Sequence, residues 1–292
     1  MNCPKLHLKT RSVFPVALSV LLLAGTSACA VEPIQSAEKC LVLMSNDDGI
    51  TNKNLIGFAR HLAPHVELVI SAPNTNYSGM SSALGDWHGE LAIEQIEGTG
   101  AAHAFSIAAS PVIAARFGLW KVGQIYGRLP DLMVSGPNDG TNWGNAARYS
   151  GTIGAAREGV GRGLPGLAIS VGRDKEPGMT VAALDLSRDL TLAICAAKSE
   201  PVLLNFNLPS DPKGSVSDIV IAAPDMNVVQ IGFEMNEDGS STQLKLAWRE
   251  PAAPGSDVAI IRDGQAAITI LPMENEQPAA QEKSLRTLLD TH

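Results

Sequence analysis

Short apolar runs alternate with stretches of helical periodicity along most of the chain, and this alternation limits the fold more than any other feature. The apolar runs are bounded by glycine, proline or polar turn residues, as buried parallel strands are. They lie at residues 41–45, 66–72, 132–135, 166–171 and 202–205. Helical spacing is found at residues 54–62, 111–119, 152–161 and 179–198. Strands that alternate with helices in this way predict an α/β fold with a mostly parallel sheet.

The C-terminal part of the chain has a different pattern. Residues 218–248 contain alternating segments on both sides of an Asn-Glu-Asp-Gly-Ser sequence at 236–240, which is a hairpin signal. We therefore predict a β-hairpin extension at residues 218–250 that serves as a dimer arm. The tail, residues 279–292, is predicted to form a short helix, and residues 31–278 are predicted to form the main domain.

The first thirty residues resemble an export signal more than part of a fold. Basic residues precede an apolar stretch at 13–25, and residues 28–30 (Ala-Cys-Ala) match a signal-peptidase site. We predict a cleaved signal peptide at residues 1–30 and a periplasmic or secreted protein. The apolar stretch is too short to span a bilayer comfortably, so no stable membrane span is expected, and a retained anchor is the alternative. Lipid attachment at Cys29 is a further alternative. It is disfavoured because Thr26 lies at a position where lipid-attachment sites usually have an aliphatic residue.

The composition favours a globular protein and disfavours two other classes. With 45% hydrophobic and 18% charged residues, the chain can bury a core and is not typical of disordered proteins. Its formal net charge of −8 argues against a broad nucleic-acid-binding surface. A small anionic substrate is still compatible with this charge, because a bound cation and backbone N–H groups can neutralise it locally.

Two cysteines would remain after cleavage. Cys40 begins an apolar strand and Cys195 lies inside an apolar helix, so we expect two buried thiols. A disulfide between them is the alternative if the protein reaches an oxidising compartment.

Two adjacent acids, Asp47 and Asp48, come directly after the first predicted strand. Ligands of open α/β sheets bind beyond the carboxyl ends of the strands. Neighbouring carboxylates repel each other unless a cation lies between them, and oxygen ligands suit Mg²⁺, Mn²⁺ or Ca²⁺. We therefore interpret this pair as part of a metal site. The alternative is a solvated turn in which Asp48 caps the next helix.

Two more polar loops that contain glycine follow later strands. One is Ser-Gly-Met-Ser at residues 78–81, where glycine allows close backbone approach to a ligand. The other begins at residues 135–142 and leads to Ser150, Gly151 and Thr152 at the start of a helix. Free N–H groups and the positive end of the helix dipole favour phosphate there, although an ordinary N-cap is the alternative. We expect all three loops to meet at one edge of the sheet.

Together these residues resemble the signature of the SurE (survival protein E) nucleotidase family. The matching motifs lie at residues 46–50, 78–81, 135–142 and 149–159, with further similarity at 203–209 and 257–271. The likeness extends over residues 40–272. It implies a Rossmann-like three-layer α/β fold, a hairpin exchanged in a homodimer or homotetramer, and metal-dependent hydrolysis of nucleoside monophosphates, sometimes also of short polyphosphate.

The resemblance also implies roles for individual residues. One divalent ion per subunit, Mg²⁺ or Mn²⁺, would be held by four side chains: Asp47, Asp48, Ser78 and Asn138. The phosphate side would be lined by Asn142, Ser150, Gly151 and Thr152. We predict that Asp47 orients or deprotonates the attacking water, and that Asn138, Ser150 and Thr152 stabilise the phosphoryl oxygens.

One segment departs from the family. Residues 109–115 read Ala-Ser-Pro-Val-Ile-Ala-Ala, where the family usually has Gly-Thr-Pro-x-Asp-Cys-Val. The altered segment bears on substrate preference and motivates two alternatives: a non-catalytic periplasmic protein that binds nucleotides or phosphate esters, and a phosphatase for non-nucleotide phosphoesters or short polyphosphate.

Overall fold

The computed structural model describes residues 39–85, 89–173, 178–273 and 278–290. The predicted signal peptide, residues 1–30, lies outside these ranges. The strands are β1 (Leu41–Ser45), β2 (Glu67–Pro73), β3 (Ile93–Gln95), β4 (His103–Ile107), β5 (Leu132–Asp139), β6 (Gly166–Val171), β7 (Leu203–Leu208), β8 (Val220–Ile221), β9 (Val229–Met235), β10 (Thr242–Trp248) and β11 (Ala267–Leu271). The helices are α1 (Lys53–Leu62), α2 (Pro111–Tyr126), α3 (Gly151–Val160), α4 (Val181–Ala197), α5 (Asp257–Arg262) and α6 (Pro278–Asp290).

In the described part of the chain, nine strands form one sheet in the order β3-β4-β2-β1-β5-β6-β7-β11-β8. The six central strands, from β4 to β7 in this order, are parallel to one another. Strands β3 and β11 run antiparallel to β4 and β7, respectively. The prediction of an α/β fold with a mostly parallel sheet is confirmed.

Helices cover both faces of the sheet and make three layers. Because side chains alternate along a strand, Val42 and Met44 of β1 face one way and Leu41 and Leu43 the other. The first pair packs with residues of α1, α4 and α6, and the second pair packs with residues of α2 and α3. The predicted terminal helix is present as α6, and its Leu285 belongs to the first of these cores.

Local signals set where the helices begin and end. The Asn52 side-chain oxygen accepts hydrogen bonds from the backbone N–H groups of Asn54 and Leu55, which caps α1. Ser110 caps α2 in the same way, and Gly127, with φ of +68°, ends that helix. Helix α2 extends seven residues past the predicted end at Leu119, and this additional part still buries Val122.

Strand β5 is longer than the sequence predicts. The Gly136-Pro137 pair was expected to end it after Ser135, but pairing with β6 resumes at Asn138 after a shift in register. Gly136 has φ of +107°, and a Cβ there would lie 2.2 Å from the carbonyl oxygen of Ile169. Glycine therefore lets the two backbones approach, and the strand carries Asn138 to the edge of the sheet.

The expectation of two buried thiols is wrong, because Cys40 and Cys195 form a disulfide. Cys40 directly precedes β1, and Cys195 lies in the last turns of α4. Helices α1 and α4 pack on the same face of the sheet, and this brings the two Cα atoms to 6.0 Å. Each cysteine has an apolar local environment, so the sequence near either one does not indicate the pairing.

The predicted hairpin is confirmed as β9 and β10, which pair antiparallel from Val229↔Trp248 to Met235↔Thr242. One face of this ribbon carries Ile231, Phe233 and Leu244 among its apolar side chains, and these are 45 to 71% exposed. Strand β8, which falls inside the predicted extension, instead pairs with β11 in the main sheet. None of the helices in the described ranges combines the length and apolar character needed to cross a bilayer.

Candidate active site

The candidate site lies at the point where the direction of strand succession reverses. The chain passes from β1 to β2 on one side and later returns to β5 on the other side of β1. The loops that leave β1 and β5 therefore separate and open a crevice at the carboxyl end of the sheet, where ligands of such folds bind. Residues 46–49 follow β1, and Asn138 and Asp139 end β5.

Asp47 is the most buried acid of the crevice, with 3% of its surface exposed. The Thr152 hydroxyl donates a hydrogen bond of 2.6 Å to its Oδ1 atom. Burial raises the pKa of Asp47 to about 6; the Thr152 hydrogen bond lowers it and the neighbouring Asp48 carboxylate raises it. No basic side chain in the described ranges pairs with Asp47. A buried carboxylate in this setting favours a cation or a proton as its partner.

The start of α3 packs directly against Asp47. A Cβ atom built on Gly151 would lie 2.8 Å from the Cβ and 3.0 Å from the Oδ2 of Asp47. Glycine at this position therefore allows the first turn of α3 to approach the carboxylate. The Ser150 hydroxyl caps the helix by accepting a hydrogen bond from the N–H group of Ile153. The positive end of this helix consequently faces the acidic pair.

Asp48 is less buried and faces the other side of the crevice. Its Oδ2 accepts a hydrogen bond of 3.2 Å from the backbone N–H group of Asp139, and its Oδ1 accepts one of 3.1 Å from the Asn76 amide. Burial raises the pKa of Asp48, while the Asp139 N–H contact lowers it. The two adjacent acids are thus held by different elements, Asp47 by α3 and Asp48 by β5.

The loop after β2 is attached to the site through its backbone. The N–H group of Tyr77 donates a 2.7 Å hydrogen bond to the carbonyl oxygen of Asp47. Ser81 anchors the far end, because its hydroxyl donates to the carbonyl oxygen of Arg148 at 2.8 Å. Ser78 lies between these two anchors, and its hydroxyl makes no hydrogen bond within the described ranges. The structure therefore leaves the Ser78 oxygen available to a ligand.

Asn138 is oriented by a hydrogen bond of its own. Its Nδ2 group donates to the carbonyl oxygen of Gly140 at 2.6 Å. The Oδ1 atom has no hydrogen-bond donor among the described residues and remains available as an acceptor.

The predicted phosphate-binding residues form a connected network with Asp47. The Asn142 amide donates to Thr152 Oγ1 at 3.4 Å and to Ser170 Oγ at 2.8 Å. The backbone N–H group of Asn142 donates to the side chain of Asn207 at 2.7 Å. Asn142 thus uses both of its amide hydrogens to position other groups, whereas Ser150, Gly151 and Thr152 lie at the start of α3.

The residues present fit a hard divalent cation. The candidate ligands are two carboxylates, one hydroxyl and one amide oxygen, which is the oxygen set that Mg²⁺ and Mn²⁺ prefer. Two of their oxygens, on Ser78 and Asn138, have no hydrogen-bond donor in the described ranges, and the Asp47 carboxylate has no basic partner there. No group of three or more His, Cys, Asp or Glu side chains in those ranges is arranged to hold a metal. The candidate set contains two such residues and takes its remaining oxygens from Ser78 and Asn138.

The sequence analysis missed three residues that contact this site. Asn76 binds Asp48, the backbone of Asp139 binds the same carboxylate, and Arg173 donates to the carbonyl oxygen of Asp139 at 3.1 Å. Asn76 and Arg173 both follow strands of the parallel sheet, so the rule used for Asp47 would have indicated them. The contact of Asp139 is made by its backbone and has no signal in the sequence.

Comparison with known proteins assigns the family. The family model "Survival protein SurE" matches residues 42–230, which is more than half of the chain. The chain belongs to the SurE family. The matched range includes every candidate metal and phosphate ligand, and the predicted family is therefore confirmed.

Individual SurE proteins agree with this assignment. The 5'-nucleotidase SurE of Sorangium cellulosum is 31% identical over 261 residues, which cover 85% of this chain and 95% of that protein. The 5'-nucleotidase SurE of Chloroflexus aggregans is 30% identical over 247 residues, covering 80% of this chain and 93% of the relative. The crystal structure of SurE from Aquifex aeolicus, with 21% identity, superposes with a TM-score of 0.66 over 83% of this chain and 97% of that one. This last comparison supports the SurE fold.

Proposed function

We propose that this SurE protein is a divalent-metal-dependent phosphomonoesterase that hydrolyses nucleoside monophosphates. The observation that carries the proposal is the position of Asp47: it is buried, adjacent to Asp48, and packed against the N-terminus of α3. The carboxylate pair and the N-terminus of α3 meet where the strand order reverses. The carboxylates suit a cation, and the helix N-terminus suits a phosphate group. The predicted enzyme class also agrees with the name that the curated relatives share.

The proposed metal ligands are Asp47, Asp48, Ser78 and Asn138. A divalent ion held there would supply Lewis-acid polarisation of the phosphoryl group and a lower pKa for a bound water. Asp47 would orient the attacking water and accept its proton through the carboxylate oxygen that does not bind Thr152. Thr152 fixes the orientation of that carboxylate, so its hydroxyl contributes to catalysis through position.

The phosphate group would lie over the first turn of α3. The backbone N–H groups of Gly151 and Thr152 belong to the turn of the helix whose N–H groups lack helical acceptors. They would serve as donors for phosphoryl oxygens, and the Thr152 N–H is shared with the Asp47 carboxylate. The free oxygen of Asn138 would be a ligand of the metal, and Asn142 holds Thr152 in place. These donors are positioned before substrate binds, which is the condition for strong electrostatic stabilisation.

The altered segment at residues 109–115 bears on the choice of substrate. Ser110 donates to the carbonyl oxygen of Leu84 at 3.0 Å, so this segment contacts the loop that also carries Ser78. Ile113, in the first turn of α2, packs against the apolar core, at the position where the family usually has an acid. Loss of the acid at this position is compatible with a nucleoside and also with other phosphoesters. The binding-protein and non-nucleotide alternatives are therefore outcomes of the test below.

We further propose that the protein forms a homodimer or homotetramer through the β9–β10 hairpin. The register pairs Phe233 with Leu244 and Ile231 with Leu246, so one face of the ribbon is continuously apolar. These side chains are 45 to 71% exposed in the single chain, and contiguous exposed apolar surface of this kind marks an interaction site.

Export to the periplasm or beyond is also a proposal. The Cys40–Cys195 disulfide supports it, because disulfides persist in oxidising compartments and are rare in the cytosol.

Phosphate release tests the proposed activity. The protein starting at residue 31 is incubated with nucleoside monophosphates, short polyphosphate and an aryl phosphate, with Mn²⁺, with Mg²⁺, or with EDTA. We expect metal-dependent release that is lost in Asp47→Asn and kept in Asp263→Asn, a matched change at an exposed aspartate after α5. Thr152→Val should lower kcat by about tenfold or more while folding is retained, since it removes the hydrogen bond that orients Asp47. Folded protein that binds nucleotides and releases no phosphate with any metal would favour the binding-protein alternative.

A further inference from the structure

A second cavity lies next to the acidic pair, at the N-terminus of α1. Its volume is about 110 Å³, and it is lined by Asn52, Lys53, Asn54, Asp139 and Gly178. The backbone of Asp139 is hydrogen-bonded to Asp48, so the cavity adjoins the Asp48 side of the candidate site. Asp47 and the proposed phosphate position lie against α3 instead. A substrate with its phosphate over α3 would therefore direct another part of the molecule toward this cavity.

Asn54 is the unusual residue of the cavity. It is 6% exposed, and its side-chain amide makes no hydrogen bond within the described ranges, although its backbone N–H group is capped by Asn52. The Asn54 amide is not among the fully buried polar atoms of the described residues that lack a partner, so it opens into the cavity. An amide that opens into a cavity, and whose donors and acceptor are not used by the protein, is available to a polar ligand.

The other side chains that line the cavity indicate which class of polar ligand it would bind. Lys53 is exposed and offers N–H donors, while the Asp139 carboxylate offers acceptors. The Asp139 carboxylate lies 3.6 Å from the guanidinium of Arg173, which leaves oxygen lone pairs free. A carboxylate in the wall disfavours a second phosphate, because like charges repel. Donors and acceptors placed side by side suit neighbouring hydroxyl groups, which both donate and accept.

We propose that this cavity binds the sugar hydroxyl groups of the substrate, so that Asn54 and Asp139 make the enzyme selective for ribonucleoside monophosphates. This inference rests on the proposed function and deepens it. The Asn54 amide bonds one hydroxyl, the Asp139 carboxylate accepts from its neighbour, and Lys53 donates to either oxygen. Dinucleotide-binding folds use a carboxylate for the ribose hydroxyls in a comparable way.

The first test uses Asn54→Leu, which keeps the branched shape of the side chain and removes its hydrogen-bonding groups. For a ribonucleoside 5'-monophosphate we expect KM to rise on the order of tenfold, the equivalent of one hydrogen bond. An aryl phosphate lacks the sugar, so its KM and kcat should stay unchanged. The matched control is Asn74→Leu, at an exposed asparagine outside the cavity, which should change neither substrate. Equal losses on both substrates, or no loss on either, would overturn the inference.

Two further measurements keep the test decisive if Asn54→Leu does not fold. Lys53→Gln changes an exposed residue and should raise KM for the ribonucleotide severalfold without affecting the aryl phosphate. Calorimetric titration with adenosine should show binding that is lost with 2',3'-dideoxyadenosine. If inorganic phosphate displaces adenosine from the protein, the cavity is an anion site and the inference is wrong. Absence of aryl phosphate turnover would instead count against the proposed function, while adenosine binding would still test the cavity.

Discussion

Replacement of Asp47 by asparagine should stabilise the metal-free protein, and the gain should depend on pH. The pKa of Asp47 is about 6 in the folded protein, against 3.8 for the free side chain. Between these values the folded state binds more protons than the unfolded state, so stability falls as pH rises through this window. Above pH 6 the full penalty is about 3 kcal/mol, and below pH 3.8 it vanishes. Asparagine is similar in shape, can still accept the Thr152 hydrogen bond and carries no charge, so it avoids the penalty.

Urea unfolding in EDTA at pH 4.5 and pH 7.5 measures this effect. Asp47→Asn should be more stable than the native protein by only about 1 kcal/mol at pH 4.5, whereas the difference should reach about 3 kcal/mol at pH 7.5. Other buried acids such as Asp257 titrate in both proteins and cancel in the comparison. Asp263→Asn, at an exposed position, should follow the native protein at both pH values. Equal stability of native protein and variant at pH 7.5 would refute the view that Asp47 is a buried, uncompensated carboxylate. Adding Mn²⁺ should then stabilise the native protein and leave the variant nearly unchanged.

Three other changes have expected outcomes. Gly151→Ala should reduce kcat/KM by at least about tenfold, because its Cβ would lie 2.8 Å from the Cβ of the buried Asp47. The control Gly57→Ala should keep full activity, because its Cβ would meet nothing within 4 Å. Full activity of Gly151→Ala would contradict the close packing of α3 against Asp47. Replacing Cys40 and Cys195 together by serine should lower the free energy of unfolding by about 2–5 kcal/mol in denaturant titration, and an unchanged midpoint would count against the disulfide. Phe233→Ser should shift light-scattering mass toward the monomer, and an unaltered oligomer would exclude the apolar hairpin face as the interface.

Local signals were sufficient for the elements that build the site. The run at residues 41–45 was predicted as a strand with the observed bounds, because its first four residues are apolar and the polar sequence Asn-Asp-Asp-Gly follows it. The strand at residues 132–139 was predicted four residues too short, since Gly136 and Pro137 usually end strands. Only the neighbouring strand β6 shows that pairing resumes at Asn138.

Features that depend on residues distant in sequence could not be predicted. Cys40 and Cys195 are separated by 155 positions, and their pairing follows from how α1 and α4 pack. The cavity at Asn54 has the same origin, because the start of α1 meets Asp139 only after the sheet has formed. By contrast, the contact of Thr152 with Asp47 joins two predicted site residues that lie 105 positions apart. The rule that ligands gather at the carboxyl edge of a parallel sheet was enough to associate them.

The most direct test of the central claim is anomalous diffraction from crystals of the protein grown with Mn²⁺. We expect one strong anomalous peak per subunit, at about 2.0–2.6 Å from carboxylate oxygens of both Asp47 and Asp48, with Ser78 and Asn138 completing the protein ligands. Crystals of Asp47→Asn should lack this peak under the same conditions. Full occupancy by Mn²⁺ elsewhere, with no peak between the two acids, would contradict the proposed metal site.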